Sequence, residues 1–426
     1  MLSRSSPFAL HMPHWPKNFG PEPQETPSER ARTLLANLGH PEHHVPPVIH
    51  VGGTKGKGST IAFLRAMLEA AGYNVHVYTS PHLARFNERI VLAGHEIEDA
   101  TLHAALEETR IAAGDMQVGF FDATTAAAML AFASTPADIL LMEMGLGGTV
   151  DATNIIDNPL LTILTTVSYD HMEYMGSTLP EIAAFEAGLF KPHVPCVVSY
   201  QHASVWPALH AAADVIQAPL YEYGKHWQTL RQEGGMLYVD CHGEASLPLP
   251  SLLGVHQIVN AGNAIAALSA LEHFHVSPEH IIHGLEHAEW KGRLQQIPAA
   301  SVPRECELWF DGGHNQAAAE AIAFFASDEW QDKPLYLIFG TTEGKDVASI
   351  LTPFTEMVTR VYAVSVKSEP RSYNPEAIAG AAEKMMPVMV SDSIHDALSD
   401  IIKREAQPFR ALIFGSLYLW LEAISQ

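Results

Sequence analysis

The sequence has few cysteines, and its apolar stretches are short. Only Cys196, Cys241 and Cys306 occur in 426 residues, an odd and scattered set that argues against a disulfide framework and favours a reducing compartment. No run of about 18 apolar residues is present, as a membrane-spanning helix requires. The N-terminus also lacks the apolar core of about 7–15 residues that a signal peptide needs. We therefore expect a cytoplasmic protein without a membrane-spanning segment.

Positive charge is also scarce. The chain has 25 lysines and arginines against 48 aspartates and glutamates, a formal net charge of −23. Such a surface repels polyanions, so we expect no nucleic acid and no membrane among the partners. The chain is also expected to be a monomer. The 24 histidines are expected to be mostly solvated, in polar loops without metal-ligand spacing, as at His11, His14, His43, His44 and His202.

Apolar sequence, in contrast, is abundant and alternates between two patterns. Hydrophobic residues make up 47% of a chain long enough to form two domains with their own cores. Short apolar runs predict strands, and amphipathic segments between them predict helices, as in parallel sheets covered on both faces. Residues 1–30 predict an irregular lead-in, with a helix starting near Ser28. A break at 295–304, rich in proline and alanine, predicts domains over 1–296 and 297–426.

The predicted elements define an α/β fold. In the first domain, strands are predicted over 48–51, 75–78, 139–144, 160–167 and 196–199, and helices over 60–71, 124–133 and 261–271. In the second domain, strands are predicted over 307–310, 335–339, 361–364 and 411–414, with helices over 317–326 and from Val347 onward. The expectation is a large N-terminal P-loop-type parallel-sheet domain, followed by a smaller Rossmann-like α/β domain.

A glycine-dense loop joins the first predicted strand to the helix over 60–71. Its sequence, with the residues on either side, is HVGGTKGKGST at 50–60. Backbone N–H groups of such a loop and of the helix N-terminus converge on an anion. Lys57 would reach the outer phosphates of a nucleotide triphosphate, and Ser59 or Thr60 would face Mg²⁺. The strict P-loop pattern is not met, because Val51 occupies its first glycine position and Gly58 separates Lys57 from Ser59.

Acidic residues lie at the ends of two further predicted strands. Glu143 comes just before the glycine-rich sequence GLGG at 145–148, and Asp170 and His171 follow the strand over 160–167. Ligands of open parallel sheets bind beyond the carboxyl ends of the strands, and Mg²⁺ prefers oxygen ligands. These residues are therefore candidates for a metal site. The alternatives are an acid in a turn at Glu143, and a capping Asp170 followed by a surface histidine.

These segments together resemble the folylpolyglutamate synthase/dihydrofolate synthase family of the Mur ligase superfamily. The sequence GTKGKGS at 53–59 is similar to the ATP loop of the superfamily. The segments that narrow the resemblance to the family occur in family order: YTSPHL at 78–83, NERI at 87–90, GLGGTVDATN at 145–154, DH at 170–171, GVHQ at 254–257, NA at 260–261, GR at 292–293, DGGHN at 311–315, FGTT at 339–342 and KD at 345–346. The resemblance implies a Mur-ligase-like ATP-binding domain followed by a C-terminal glutamate-ligase domain.

The resemblance also implies roles for individual residues. The ATP contacts would be Gly56, Lys57, Gly58, Ser59, Thr60, Asn260, Arg293 and Asp311. Ser80 and Glu143 match ligands of a first Mg²⁺, and His171 matches a ligand of a second. The pterin substrate would lie near Phe121, Asp122, Val150, Asp151 and Ala152, and the incoming glutamate near His314. The residues expected to act in catalysis are Lys57, Glu143, His171 and His314.

Three positions depart from the family pattern. Lys55 stands where the family usually has asparagine, and Thr149 where it usually has arginine. Glu186, within EIAAFEAGLFKP at 181–192, stands where the family has a carbamylated lysine that helps bind the second Mg²⁺. A glutamate offers the same charge and oxygen type on a shorter stem, so Glu186 is a candidate metal ligand. The alternative is a solvated helix residue beside a weak or absent second metal.

The implied reaction is ATP-dependent amide formation between L-glutamate and a dihydropteroate or folate, through an acyl phosphate. ATP and Mg²⁺ are the expected cofactors. One alternative is another amino-acid ligase of the superfamily. A second is a nucleotide-binding protein whose catalysis is impaired by the changes at Thr149 and Glu186. A third, a kinase or GTPase-type switch, is disfavoured because the loop lacks strict P-loop spacing.

Overall fold

The computed structural model describes residues 25–426, so most of the predicted lead-in lies outside the described residues. The chain forms two compact units. The first contains the residues up to Ser251 together with Gln257–Glu289, and the second contains Leu252–His256 together with Trp290–Gln426. Within residues 25–426, no helix combines the length and apolar composition that crossing a membrane requires.

The elements of the first unit alternate between strand and helix along most of its length. The strands are β1 (Val48–Gly52), β2 (Val75–Tyr78), β3 (Ile90–Leu92), β4 (His95–Glu96), β5 (Ile139–Glu143), β6 (Leu161–Leu164), β7 (Cys196–Val198), β8 (Leu220–Glu222), β9 (Trp227–Gln232), β10 (Gly235–Asp240) and β11 (Gly243–Leu247). The helices are α1 (Pro27–Asn37), α2 (Lys57–Ala70), α3 (Asp99–Ala113), α4 (Phe120–Ser134), α5 (Met172–Met175), α6 (Leu179–Glu186), α7 (Trp206–Ile216), α8 (Val255–Ser269) and α9 (Pro278–His287).

An eight-stranded sheet in the order β4-β3-β2-β5-β1-β6-β7-β8 forms the centre of this unit. The strands from β2 to β8 in that order are parallel, and β3 and β4 are antiparallel at one edge. Every residue of β1, β2, β5 and β6 is buried, because helices cover both faces of the sheet. The predicted parallel sheet is confirmed, and it aligns the carboxyl ends of its central strands at one edge.

A second, antiparallel sheet in the order β11-β10-β9 was not predicted. Its strands mix polar and apolar residues, as in WQTLRQ of β9, with only some positions buried. This pattern is weaker than the continuous apolar runs of the parallel strands.

The second unit contains one sheet in the order β12-β13-β17-β14-β15-β16. Its strands are β12 (Gln295–Gln296), β13 (Glu307–Asp311), β14 (Leu335–Phe339), β15 (Val358–Ala363), β16 (Val388–Val390) and β17 (Arg410–Phe414). All adjacent pairs are parallel except β12 with β13. The helices are α10 (Gln316–Glu329), α11 (Val347–Leu351), α12 (Pro375–Ala382), α13 (Ile394–Arg404) and α14 (Trp420–Ala423). The predicted smaller α/β unit is confirmed.

Candidate functional site

The glycine-dense loop connects β1 directly to the N-terminus of α2. Gly53 and Gly56 have φ of 108° and 93°, a left-handed region that side chains with a Cβ rarely adopt. A Cβ at Gly53 would lie 2.5 Å from Thr165 Oγ1, so close packing also requires glycine there. Helix α2 begins at Lys57, and its first backbone N–H groups have no partner within the helix. The loop therefore has the conformation of an anion cradle.

The Lys57 ammonium folds back over this loop. Its Nζ donates a hydrogen bond to the Gly53 carbonyl at 2.7 Å. The ammonium thus lies over the glycine turn, where it can exchange a carbonyl partner for a phosphate oxygen.

The two hydroxyls at the start of α2 have different environments. Thr60 is fully buried, and its Oγ1 accepts a hydrogen bond from Asn263 Nδ2 at 3.3 Å. Ser59 is also buried, at 5% exposure, one position closer to the helix N-terminus. The Thr60 hydroxyl thus already has a partner in α8. Which of the two hydroxyls faces a ligand remains a prediction.

Asn260 lies beside the loop although about two hundred residues separate them in sequence. A Cβ at Gly56 would lie 2.2 Å from Asn260 Oδ1, so glycine permits this close approach. Asn260 Nδ2 in turn donates to Gln257 Oε1 at 2.9 Å. The structure therefore brings together Gly56, Lys57 and Asn260, three of the predicted ATP contacts.

Glu143 and Ser80 meet at the ends of neighbouring strands. Glu143 is the register partner of Val51 in β1, so its carboxylate lies next to the start of the glycine loop. One of its oxygens accepts a hydrogen bond from the Ser80 backbone N–H at 2.9 Å. Glu143 is 5% exposed. The predicted first metal pair is thus adjacent in space, with a carboxylate and a hydroxyl as oxygen donors.

The segment after β6 is hydrogen-bonded to the glycine loop. The Thr166 carbonyl accepts from the backbone N–H groups of Thr54 and Lys55, at 3.2 and 3.1 Å. The Ser168 N–H donates to Thr54 Oγ1 at 3.1 Å. His171 follows in this segment with φ of 47° and a side chain that is 48% exposed. Sequence analysis missed these tethers, because a threonine or serine hydroxyl in a loop has no distinctive spacing.

Glu186 is not a solvated helix residue. It is 2% exposed at the end of α6, and its Oε2 is buried with no hydrogen-bond partner. Burial raises the pKa of this carboxyl, while the nearby Lys57 ammonium and a hydrogen bond from the Gly53 backbone oppose the rise. The alternative of a solvated Glu186 is therefore wrong. Its unsatisfied oxygen lies in the neighbourhood of Lys57 and Gly53 and is suited to a cation.

The residues predicted to bind a pterin converge around the GLGG turn. A Cβ at Gly145 would lie 2.6 Å from the Phe121 ring and 2.9 Å from Asp151 Oδ2. Asp151 is 4% exposed and accepts hydrogen bonds from the N–H groups of Leu146 and Thr153, at 2.6 and 2.9 Å. Val150 is half-buried and Ala152 is buried. Phe121 and residues 145–152 therefore share one wall of the unit.

Asp122 has a different environment from its neighbour Phe121. Its carboxylate accepts from Arg30 Nε at 2.6 Å and from the Gly119 N–H at 2.8 Å, and its side chain is 2% exposed. It therefore caps α4 and anchors α1 through Arg30, a long-range pair that no sequence pattern predicts.

Three further predicted residues cluster in the second unit, at the carboxyl end of β13. Asp311 is 7% exposed and accepts from the N–H groups of Leu294 and Gly313, at 2.8 and 2.6 Å. Burial raises the pKa of Asp311, and the charge of nearby Arg293 opposes the rise. His314 Nδ1 lies 3.3 Å from the Gly312 carbonyl. Arg293, Asp311 and His314 therefore occupy one region of this unit.

The predicted metal ligands do not form a single compact group. Within residues 25–426, Glu143, His171 and Glu186 are not a group of three side chains whose ligand atoms all lie within 4.8 Å of one another. Two metal positions, one at Ser80 and Glu143 and one at His171 and Glu186, remain a prediction.

Comparison with protein families gives two matches along the chain. Residues 51–268 match the Mur ligase middle domain, and residues 294–426 match the C-terminal domain of dihydrofolate synthetase. The first match alone covers half of the chain.

Individual relatives cover nearly the whole chain. A Bacillus subtilis dihydrofolate synthase/folylpolyglutamate synthase is 30% identical over 413 residues, 91% of this chain and 92% of the relative. The structure of Escherichia coli FolC in complex with DHPP and ADP aligns with a TM-score of 0.87 at 28% identity, covering 96% of this chain and 95% of that one. The Yersinia pestis bifunctional folylpolyglutamate synthase/dihydrofolate synthase, complexed with AMPPNP and a Mn ion, aligns with a TM-score of 0.85 at 27% identity, covering 96% and 95%.

Proposed function

Since this chain belongs to the dihydrofolate synthase/folylpolyglutamate synthase family of Mur ligases, we propose that it joins L-glutamate in amide linkage to a dihydropteroate or folate acceptor. It is an ATP-dependent, ADP-forming ligase. The observation that carries the proposal is the convergence of the glycine loop, Lys57, Asn260 and Glu143 at one edge of the sheet.

ATP binding is supported by the loop and the start of α2. We propose that backbone N–H groups at Gly56, Gly58 and Ser59 hold the phosphates, with the Lys57 ammonium on the outer ones. Asn260, which packs on Gly56, is positioned to contact the nucleotide from α8. Of the hydroxyls in this region, Ser59 is favoured over Thr60, whose hydroxyl is engaged with Asn263.

The residues present fit divalent magnesium at two positions. The Glu143 carboxylate with the Ser80 hydroxyl offers the oxygen donors that Mg²⁺ prefers. The Glu186 carboxylate has a buried Oε2 with no hydrogen-bond partner, which a cation would satisfy, and His171 would supply a nitrogen to the same ion. When bound, the metal neutralises charge that accumulates on the phosphate oxygens.

The chemistry follows from the weakness of a carboxylate as an acyl donor. Its oxygen is a poor leaving group, so an amine does not displace it at neutral pH. Transfer of the ATP γ-phosphoryl group to the acceptor carboxylate gives an acyl phosphate and ADP. The glutamate amine then attacks the acyl carbon, the C–N bond forms, and inorganic phosphate leaves with the electron pair of the broken C–O bond. The Lys57 ammonium stabilises the oxygens during the first step.

The remaining predicted residues have proposed roles in holding the other substrates. The wall formed by Phe121 and residues 145–152 offers an aromatic face and a buried carboxylate for a pterin ring. In the second unit, Arg293, Asp311 and His314 are the proposed functional cluster, with ATP as the proposed ligand of Arg293 and Asp311 and glutamate as that of His314. We also propose a cytoplasmic monomer, in agreement with the three free cysteines.

Product formation tests the function. The protein is incubated with ATP, MgCl₂, L-glutamate and dihydropteroate, and dihydrofolate and ADP are measured by chromatography. We expect one ADP for each dihydrofolate, and ADP release that requires both glutamate and acceptor. A parallel reaction with a reduced folate as acceptor reports polyglutamate extension. ADP release that is indifferent to glutamate and to both acceptors would contradict the proposal.

A further inference from the structure

A group of metal-ligating side chains lies outside the proposed active site, in the turn between α1 and β1. His40, Glu42 and His43 each offer one ligand atom, and these three atoms lie within 4.8 Å of one another. His40 Nδ1 is 2.9 Å and His43 Nε2 is 3.7 Å from the same oxygen of Glu42. His43 is solvated, as expected, with a side chain that is 66% exposed. The expectation that it has no metal-ligand spacing is wrong, because the folded turn brings its ring nitrogen close to His40 and Glu42.

The backbone of this turn explains why the three side chains converge. His40 has φ of 60° in the left-handed region, and Pro41–His43 forms one turn of 3₁₀ helix. His40 precedes this turn as its N-cap. The His40 and His43 rings stack, with centroids 4.9 Å apart and planes 6° apart. Both imidazoles thus face the carboxylate that lies between them in sequence.

Glu42 provides an independent indication that this group can bind a cation. Its side chain is only 9% exposed, whereas those of His40 and His43 are 49% and 66% exposed. Its second oxygen, Oε2, is buried and has no hydrogen-bond partner. A buried carboxylate oxygen without a partner is costly, and a cation removes that cost.

We propose that His40, Glu42 and His43 form a binding site for a divalent transition-metal ion, with Zn²⁺ as its representative. Two imidazole nitrogens and one carboxylate are a donor set that suits Zn²⁺ and its neighbours, whereas Mg²⁺ prefers oxygen ligands alone. Two ligands of a tetrahedral Zn²⁺, each at about 2.0–2.2 Å, are roughly 3.4 Å apart. The 2.9 Å separation of His40 from Glu42 must therefore widen and the 3.7 Å separation of His43 from Glu42 must shorten. The stacked rings must also turn so that both nitrogens point at one ion, and exposed histidine side chains permit these rotations.

An ion bound at this site would stabilise the folded turn that leads into β1. Pro41 is buried within this turn, and β1 ends at the glycine loop. An ion bound to the folded turn but not to the unfolded chain stabilises the fold by mass action. Water completes the coordination on the exposed side of the histidines.

The test is a Zn²⁺ titration of the full chain by calorimetry, with excess MgCl₂ and no nucleotide. Wild type is expected to bind one Zn²⁺ ion with a micromolar or lower Kd, and any further Zn²⁺ ions more weakly. His43→Ala removes a mostly exposed side chain, and Glu42→Gln preserves size while removing charge. Both should weaken this binding at least tenfold. Co²⁺ as a second probe should give visible absorption bands of a nitrogen- and oxygen-ligated ion in wild type and not in His43→Ala.

Two variants serve as matched controls. His44→Ala removes the adjacent exposed histidine, which is not part of the group. The double variant His283→Ala/His287→Ala removes another stacked pair of exposed imidazoles, with centroids 4.2 Å apart on α9. Both should retain the tight Zn²⁺ site. Both should also show the same rise in the thermal unfolding midpoint on Zn²⁺ binding that we expect of wild type. Equal Zn²⁺ affinity in wild type, His43→Ala and Glu42→Gln, or wild-type binding only at millimolar Zn²⁺, would overturn the proposal.

Discussion

At the scale of single residues, the two charges that decide the proposed phosphoryl transfer are Lys57 and Glu186. The ammonium of Lys57 lies over the glycine turn, 2.7 Å from the Gly53 carbonyl. Glu186 is buried nearby with an oxygen that has no hydrogen-bond partner. In the proposed reaction, Lys57 would compensate charge on the phosphates and Glu186 would compensate charge on a metal ion, so we expect different effects from removing each.

Replacing Lys57 by alanine should nearly abolish ligase turnover. The ammonium stabilises charge on the transferred phosphoryl group, and removal of such a group costs on the order of 10³-fold or more in rate. The rate of ADP formation measures the effect. Lys225→Ala is the control, because Lys225 pairs with Glu222 in the β8–β9 turn and is 64% exposed. Activity of Lys57→Ala within tenfold of wild type would remove the phosphate-cradle assignment.

Replacing Glu186 by glutamine should raise the Mg²⁺ concentration required for half-maximal rate. The amide preserves size but lacks the charge that a divalent ion needs as compensation.

The activity of wild type should also be indifferent to bicarbonate, since no carbamate has to form on a glutamate. Glu186→Lys should be poor in CO₂-depleted buffer and recover partly with bicarbonate. The exposed Glu233→Gln is the control, and an unchanged Mg²⁺ dependence in Glu186→Gln would make Glu186 a bystander.

At the scale of elements, helix α2 is flanked by Gly56 and Gly72. Both glycines have a left-handed backbone conformation, but only Gly56 is closely packed, so substituting each one distinguishes backbone strain from steric contact. Gly56 has φ of 93° and would place a Cβ 2.2 Å from Asn260, whereas Gly72 has φ of 89° and no heavy atom within 4 Å. Alanine at either position should cost about 1–2 kcal/mol of unfolding free energy through left-handed strain. Only Gly56→Ala should also lower ligase activity, by at least tenfold, because Asn260 must move. Urea unfolding and ADP formation measure the two effects, and equal activity of both variants would refute the loop packing.

In the second unit, a cluster of ion pairs joins β13 and β17. We expect this cluster to make the stability of the fold depend on pH in the acid range. Glu307 accepts from Arg410 Nε at 2.7 Å and also pairs with Lys333. Burial alone would raise the pKa of Glu307, but hydrogen bonds from Arg410, Lys333 and Trp309 lower it from 4.5 to about 2. Since the folded pKa lies below the unfolded one, this stabilisation is complete above about pH 4.5 and is lost as the pH falls towards about 2.

Urea unfolding at several pH values tests this expectation. Glu307→Gln should lower stability at pH 7, because Arg410 is buried and loses a charged partner. Its stability should then fall less than that of wild type between pH 4.5 and pH 2. Glu383→Gln, at an exposed position of the same unit, should retain the wild-type pH dependence. Parallel pH profiles of wild type and Glu307→Gln would contradict the role of this cluster.

At the scale of the whole molecule, the sequence predicts the parallel sheets well and long-range contacts poorly. The strands β1, β5 and β14 are continuous apolar runs because both of their faces are buried, and that pattern is legible without a structure. The antiparallel strands β9–β11 are partly solvated, so their periodicity is weak. The contact of Asn260 with Gly56 depends on the fold and was not predicted, since the family resemblance implied only that Asn260 contacts ATP. The convergence of His40 and His43 depends on one left-handed residue, which no spacing rule foresees.

The proposed ATP-dependent ligation passes through an acyl phosphate, and transfer of an isotope from the acceptor to phosphate reports that intermediate. Dihydropteroate labelled with ¹⁸O in its carboxylate is incubated with the full chain, ATP, MgCl₂ and L-glutamate, and the phosphate released is analysed by mass spectrometry. Attack of the carboxylate on the γ-phosphorus moves one carboxylate oxygen into phosphate, so each dihydrofolate formed should be matched by one ¹⁸O-labelled phosphate. Unlabelled phosphate released alongside dihydrofolate, or ADP and phosphate without any amide product, would contradict the account.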